Sequence, residues 1–529
     1  MQSVSDPIDS MRRPPLIILG TRFVDLQDRH VILHGINLVN KDRRAGYLFD
    51  EGPELYARMR DWGFNVIRLG VIWDGLEPEP GVYDGAYLRR LDQQIAWARA
   101  HGLLVFLDMH QDLYSVLYSD GAPAWATLTG GAPHSDLGGV WSDVYFTSSA
   151  VQTALDNFWA NTPAADGLGI QEHYANAWAH LARRYAHEPA VIGFDLMNEP
   201  FPGSSAVQTQ AIMFEKGAEL IAALGMLPDA IGATETETGP PAESLAEQWL
   251  TLEGRSAILE LLRDIGIYTQ VIDATEPLYA DFEKTRLMPM YLRVARAIRE
   301  TGSAQALFLE TTMGSNMGVY SAITPLELRC NAPDGVRDPA QVYAAHGYDL
   351  VVDTPDIAQA SPERVELIFR RHGETAQRLG VPMLVGEWGA YGSNPGTLPA
   401  AWHVVHQFEA LLCSETYWAY EPGVERFPCF QAIQRPYPER VAGTLLHYAY
   451  DPQQRTFRAT WREDEQATAP SRIYLPDWFA LDKASLALTP AGSGYETVAT
   501  SPGSSSRYLE IAPTGELCTR DLVLQETTQ

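Results

Sequence analysis

The chain has 529 residues, 46% of them hydrophobic, with 67 Asp plus Glu against 39 Lys plus Arg and a net charge of -28. That length and apolar content suffice for a large core and for more than one domain. So acidic a surface repels phosphate backbones and anionic leaflets, which argues against nucleic acid and against polybasic membrane docking, while neutral partners such as sugars stay open.

The first residues, "MQSVSDPIDSMRRPPLIILG", carry a basic pair but only a short apolar stretch, Leu16 to Leu19, and do not read as a signal peptide. The expected compartment is therefore the cytoplasm, or the outside of the cell for a secreted protein lacking its leader. "TRFVDLQDRHVIL" alternates and turns at Asp28, which predicts a hairpin plugging the floor of a barrel. Eight apolar runs follow. They begin at Val31, Asn65, Leu103 and Val191, and then at Ala306, Val342, Pro382 and Ser414. Near-continuous apolar runs suit strands buried on both faces. Helical patterns such as "PELYARMRDWG" and "YLRRLDQQIAWARAHG" sit between them, closed by Gly63 and Gly102. Eight strand-then-helix units predict a (β/α)8 TIM barrel over residues 1–434. After Arg435, short strands such as "RTFRATWRE" and "SRYLEIAP" are parted by Gly, Pro and Ser, which predicts a C-terminal β-sandwich over residues 435–529.

One interval is too long for a loop and a helix. "DFEKTRLMPMYLRVARAIRETG" reads as the regular barrel helix before the fifth strand, so the extra segment spans about 203–275. Its helical stretches hold apolar residues at helical spacing, and "GATETETGPPAES" reads as an acidic loop. Because it leaves the barrel at the active rim, it is expected to narrow the sugar side and favour short glycans, with the loop near Glu235 moving during entry. The four cysteines show no metal-type spacing, so neither a zinc site nor a disulfide framework is expected; Cys413 and Cys429 are spaced to allow a pair across the end of the barrel.

Reacting groups of a TIM barrel come from the C-terminal strand ends. Those ends carry Asn37 with Lys41, Arg68, His110 with Asp112, Asn198 with Glu199, Glu310, His346 with Tyr348, Glu387, and Trp418. Singly, each has an ordinary structural reading: Arg68 as a buried ion-pair partner, His110 as a satisfied core histidine, Trp418 as packing. Together they gather at one rim. Glu199 after the fourth strand and Glu387 after the seventh suit glycosidic-bond cleavage, where one carboxyl donates a proton and the other, ionised, attacks the anomeric carbon. Glu199 is expected to be unpaired so that it keeps its proton. Asn198 suits a sugar 2-hydroxyl, and Arg68 with Tyr348 suits an anionic Glu387.

The order Arg68, His110, Asn198-Glu199, His346, Tyr348, Glu387 and Trp418 resembles glycoside hydrolase family 5, a family of retaining β-glycosidases. "LDMHQDLYS", "GFDLMNEPF", "GEWG" and "RPYPERVAGT" are similar to its endoglycoceramidase-related branch, which includes glucosylceramidases and steryl glucosidases. The resemblance implies Glu199 as acid/base and Glu387 as nucleophile, with Lys41, Arg68, His110, Asp112, Asn198, His346, Tyr348 and Trp418 as sugar contacts. It implies a double displacement without cofactor or metal on a glycolipid such as a glycosylceramide. A monomer is expected, with transient contact to lipid aggregates or a membrane surface. The aromatics of "GVWSDVYFTSS" and "LDNFWAN" after the third strand are candidates to line a lipid groove. The rival readings are a steryl-β-glucosidase, a cellulase-like enzyme with a long open groove, and a non-catalytic glycan-binding barrel.

Overall fold

The computed structural model describes residues 15–223, 242–328, 336–492 and 494–526. Its centre is a closed barrel of eight parallel strands. Preceding it are β1 (Leu16–Leu19), β2 (Arg22–Asp25) and β3 (His30–Val31). The barrel strands are β4 (His34–Leu38), β5 (Val66–Ile72), β6 (Leu104–His110), β7 (Val191–Asp195), β8 (Ala306–Leu309), β9 (Gln341–Gly347), β10 (Met383–Trp388) and β11 (Ser414–Tyr417). Each coincides with one of the eight apolar runs of the sequence, β9 starting one residue before its run.

The helices between them obey local rules. The Asp84 side chain accepts from the amides of Ala86 and Tyr87, which starts α2 (Gly85–Ala100), and the buried Leu88, Leu91, Ile95 and Ala98 recur on one face. Helix α1 (Pro53–Asp61) has proline in its first turn, and Gly63 beyond its end takes φ 94°. A side chain could not replace that glycine, because a Cβ there would stand 2.4 Å from the Tyr474 ring.

The floor is closed from below. Leu16 and Phe23 of the β1–β2 hairpin pack with Val66, Phe106, Ile192, Phe308, Val342 and Leu384, which point into the barrel from six of its strands. Phe106 and Phe308 stack there with ring centroids 4.6 Å apart. Fully burying such a side chain contributes about 1.5–3 kcal/mol, so the floor is a firm base for the rim opposite. The same hairpin has a second partner. Strand β3 pairs with β12 (Tyr437–Val441), so residues 16–31 extend a seven-stranded sheet that continues through β15 (Ser471–Leu475), β18 (Arg507–Ile511) and β17 (Tyr495–Ala499). A four-stranded sheet, β13 (Gly443–Asp451), β14 (Thr456–Glu463), β19 (Cys518–Glu526) and β16 (Ala484–Thr489), forms the other layer of the sandwich. The N-terminal hairpin therefore belongs both to the barrel floor and to this sheet, a pairing across more than four hundred positions that local pattern does not announce.

Cys413 and Cys429 are both free and buried, which corrects the pairing their spacing allows. Helix α3 (Ile170–Tyr185) leads into β7, and the long segment after that strand folds into α4 (Ser205–Ala223), α5 (Ala242–Trp249), α6 (Leu252–Leu261) and α7 (Ile265–Asp273), followed by α8 (Met288–Glu300), the expected barrel helix. Glu235 and most of the acidic loop lie outside the described residues. Thr251 and Asp264 cap α6 and α7 through their side chains. No described helix is long and apolar enough to cross a membrane.

Candidate active site

Arg68, in the middle of β5, is fully buried, and all five of its N–H groups are spent. Nε donates to Asp195 at 2.9 Å; Nη1 donates to Asn37 at 3.0 Å and to Glu387 at 2.7 Å; Nη2 donates to Asn198 at 2.9 Å and to Glu310 at 2.7 Å. Asp108 stands 2.9 Å from Nη2 as a further ion-pair partner. The ordinary reading of Arg68 as a buried ion-pair partner is thus correct, and the pairs it makes hold one of the two glutamates in place.

Glu199 is fixed through its backbone. Its amide donates to Glu310 Oε2 at 2.7 Å, and its carbonyl and that of Asn198 accept from Gln111 Nε2. Its φ of 40° lies in the left-handed region, an uncommon choice for glutamate that the surrounding bonds enforce. On the side chain, Asn316 Nδ2 donates to Oε1 at 2.7 Å and His346 Nδ1 lies 3.0 Å from the same oxygen. The expectation that Glu199 is unpaired is therefore corrected. It has partners, but no arginine or lysine among them. Glu387 is held at both oxygens, by Arg68 on Oε1 and by the Tyr348 hydroxyl on Oε2 at 2.9 Å. Carboxylate oxygens of Glu199 and Glu387 lie within 4.8 Å of one another.

Charges in this cluster balance. Burial pushes both the Glu199 and the Glu387 carboxyl upward; at Glu199 the His346 hydrogen bond opposes it, and at Glu387 the charges of His346 and Arg68 do. Burial also lifts Asp108 to about 7 and Asp195 well above the usual range, so neither is fully ionised near neutrality. Against burial, Glu310 is held below its ordinary value by His346 and Arg68. For His346, burial disfavours the imidazolium, but Glu310 and Glu387 outweigh it and its pKa rises well above normal. Two cations, Arg68 and His346, then face two anions, Glu310 and Glu387. The remaining proton belongs on Glu199, the carboxyl without a permanent cation. The Tyr348 hydroxyl, its pKa raised strongly by burial and by Glu387, stays a donor.

Above the two glutamates opens a cavity of 220 Å³. Lys41, His110, Asp112, Tyr348 and Trp418 line it with Glu199 and Glu387. Lys41 pairs with Asp112 and lies over the Trp418 ring at 4.7 Å, and Trp418 stacks on His110 with centroids 5.1 Å apart. Burial, then Lys41, holds His110 neutral; its Nδ1 lies 2.8 Å from Asp108, which turns Nε2 toward that wall. Arg68, Asn198 and His346 do not line the cavity; they support the glutamates from beneath. Asn198 in particular gives its oxygen to Arg68 and a proton to the Gln111 carbonyl at 3.1 Å.

The sequence reading missed several groups. Asn316 sits in "TTMGSNMG", which carries no pattern to mark it. Asp108 and Asp195 did carry a signal, since each is a lone charge inside an apolar strand, and such a charge needs a partner within the barrel. Long-range contacts at the rim were also out of reach: Trp141 Nε1 donates to Asp353 at 2.8 Å, and Arg255 Nη2, on α6, donates to Asp143 at 2.6 Å. Among the described residues, three groups of carboxylates and histidines are close enough to ligate an ion: Asp108 with Asp195 and Glu310; Glu199 with His346 and Glu387; and His110 with Asp112 and Asp120. Each already has a protein cation in contact, Arg68 for the first two and Lys41 for the third.

A closed parallel barrel with two glutamates facing each other at the C-terminal rim defines the class, the (β/α)8 proteins of the paired-carboxylate type. The chain belongs to glycosyl hydrolase family 5, whose catalytic-domain profile, "Cellulase (glycosyl hydrolase family 5)", matches residues 28–225 and 269–423. The glycoside hydrolase family 5 C-terminal domain matches residues 435–514. Endoglycoceramidase I of Rhodococcus hoagii is 37% identical over 190 residues, 35% of this chain and 37% of that protein. A glucosylceramidase of Cryptococcus neoformans is 26% identical over 269 residues, 40% of this chain and 36% of that protein. The matched stretches thus span little more than a third of these curated relatives. Endo-glycoceramidase II from Rhodococcus sp., solved as a ganglioside GM3 complex, superposes with a TM-score of 0.71 at 24% identity, over 96% of this chain and 100% of that one. These structural likenesses show a shared fold.

Proposed function

We propose that the chain is a retaining β-glycosidase that cleaves the bond between a sugar and the lipid aglycone of a glycolipid of the glycosylceramide type. One observation carries this reading: the Glu199 and Glu387 carboxylate oxygens lie within 4.8 Å of one another. Inverting glycosidases hold their carboxyls about 6.5–9.5 Å apart to admit a water, whereas retaining ones need about 5–5.5 Å. Glu387, anionic against Arg68 and Tyr348, attacks the anomeric carbon while Glu199 gives its proton to the departing glycosidic oxygen. The C–O bond to the aglycone breaks with its electron pair, and a glycosyl ester forms on Glu387. Glu199, now ionised, takes a proton from water, the resulting hydroxide displaces Glu387, and the free sugar leaves with β-configuration.

Lys41, His110 and Asp112 offer donors and acceptors to sugar hydroxyls, and the Trp418 face is a platform for the ring. The glycolipid specificity is supported by the names of the relatives and by the apolar residues Phe146, Met313, Met317 and Leu350 in the cavity wall. The Trp141–Asp353 contact joins two rim loops and the Arg255–Asp143 pair ties α6 to the segment after β6, which suits a bounded pocket better than the long open groove of a polysaccharide hydrolase.

The test is a panel of glucosylceramide, galactosylceramide, lactosylceramide, a ganglioside, a steryl glucoside and a soluble β-glucan, read by thin-layer chromatography. Release of ceramide and sugar is expected. Turnover confined to the soluble glucan would overturn the glycolipid reading.

A further inference from the structure

Glu283 is a fully buried carboxylate that the reaction above does not use. It opens a single π turn, Glu283–Leu287, between the helix Glu276–Phe282 and α8. A π turn holds one residue more than an α turn and recurs at functional sites. This one aims Glu283 at the segment between β8 and β9. Oε1 accepts from the Thr312 amide at 3.3 Å, Oε2 accepts from the Ala322 amide, and the Ser321 hydroxyl lies 3.1 Å from both oxygens. One side chain therefore ties the two ends of residues 312–322 together. Its partners here are all donors, which suits an ionised carboxylate, an acceptor at both oxygens. Burial raises the carboxyl to about 7, and the Ala322 and Thr312 amides and Ser321 oppose that rise.

The tied segment is the one that meets the acid. Glu310, just before it, accepts from the Glu199 amide at 2.7 Å, and Asn316, inside it, donates to the Glu199 carboxyl at 2.7 Å. Asn316 ends a helix of four residues, Met313–Asn316, too short to keep its own shape. The residues after it are fixed from outside. The Tyr268 hydroxyl donates to the Met317 carbonyl, Arg371 Nη1 to the Gly318 carbonyl at 2.8 Å, and Arg378 Nη2 to the Ser321 carbonyl at 2.8 Å. Those three side chains hold carbonyls; Glu283 holds the amides at both ends.

We propose that Glu283 is a positioning residue for the acid, closing residues 312–322 so that Asn316 stays bonded to Glu199. The proposal rests on the role given to Glu199 above. Glu283 does not line the active-site cavity, and it acts through the backbone it holds. The groups that face Glu199 are His346, Glu310, Glu387, Tyr145 and Tyr348; those that face Glu283 are Arg378, Tyr291 and Tyr343. No group belongs to both sets, so a change at Glu283 reaches Glu199 through the segment or as bare charge. These two routes differ in sign. Removing an anion lowers the pKa of a neighbouring carboxyl, whereas releasing the Asn316 donor raises it.

Glu283→Gln keeps the shape of the side chain but turns an NH2 toward one of the two amides, so one end of the clamp opens. On a glycoside with a poor leaving group, the alkaline limb of kcat/KM is expected to move up by about half a pH unit, within the roughly one unit that loss of Asn316 itself would give. Ser321→Ala is a milder cut and should move the limb the same way by less. In an Asn316→Ala background, Glu283→Gln should move it no further, because both changes remove one contact. A limb that stays in place or moves down in either variant overturns the proposal, and so does a shift that adds to that of Asn316→Ala.

The titration of Glu199 is also read without turnover, from the pH dependence of carbodiimide coupling at that residue, followed by peptide mass spectrometry. A parent that hydrolyses no glycoside refutes the catalytic reading alone. A Glu199 titration that moves up in Glu283→Gln, and no further once Asn316→Ala is added, still supports the clamp. A Glu199 titration unaltered by Glu283→Gln overturns it, whatever turnover shows.

Discussion

Arg68 Nη1 donates to Glu387 Oε1 at 2.7 Å from a guanidinium that is wholly sequestered from water. A buried arginine is stable only when its charge and its donors are met, and here the carboxylates and amides of five strand ends meet them. Losing it would leave Glu310 and Glu387 as anions facing a single remaining cation, His346. Arg68→Met is expected to lower the unfolding free energy by about 3–5 kcal/mol, measured by urea denaturation. Arg68→Lys keeps the charge but has too few donors for the fork, and should fall between the two. A variant as stable as the parent would show that the cluster is not held by this charge.

Glu387→Gln removes the proposed nucleophile while keeping the shape of the side chain, and its amide can still meet Tyr348. Turnover is expected to fall by about 10⁴-fold or more while binding persists. A slow 2-fluoro-sugar should label Glu387 in the parent protein, as read by peptide mass spectrometry. A label on Glu199 or on any other residue would reassign the role.

Glu199→Ala should separate the two halves of the reaction. An aryl glycoside with a good leaving group needs little proton assistance, so the glycosyl-enzyme still forms and then accumulates for want of a base. Added azide should accelerate its breakdown by on the order of 10²-fold or more and yield the β-glycosyl azide. Recovery of the α-azide would mean that the nucleophile had been removed, and the assignments of Glu199 and Glu387 would exchange.

Much of this architecture is legible in the sequence because the barrel repeats one local device. Each strand is a short apolar run that must be buried on both faces, and each ends in a polar residue that must be useful or satisfied. That logic places Glu199 at the end of one run and Glu387 inside another, and they meet at the rim although 188 positions separate them. It cannot divide the polar residues into those that touch a ligand and those that stand behind. Asn198 and His346 read as sugar contacts, but their atoms are consumed by Arg68, Gln111 and Glu199, which only the closed barrel brings together. The β3–β12 pairing is hidden for the same reason. Helical spacing in "AILELLRDIGIY" shows that a face is buried, not what it is buried against.

The last prediction concerns Asn316, which no sequence pattern marks. Its Nδ2 donates to Glu199 Oε1 at 2.7 Å, and a donor to a carboxyl oxygen favours the ionised form. Burial pushes the Glu199 pKa up, and Asn316 acts against that push. Catalysis by Glu199 as an acid needs its proton in the free enzyme, so the alkaline limb of kcat/KM reports its loss. Removing the donor raises the Glu199 pKa, so the acid stays protonated to higher pH and the alkaline limb moves upward. A hydrogen bond to a charged group contributes about 1.5–3 kcal/mol, only part of which distinguishes the two protonation states, so a displacement of about one pH unit is expected for Asn316→Ala. Asn316→Asp places a like charge beside Glu199 and should carry the limb further in the same direction. The measurement is kcat/KM across pH on a glycoside with a poor leaving group, where proton donation limits the rate. A limb that stays in place in both variants, or moves to lower pH, would assign it to a group other than Glu199.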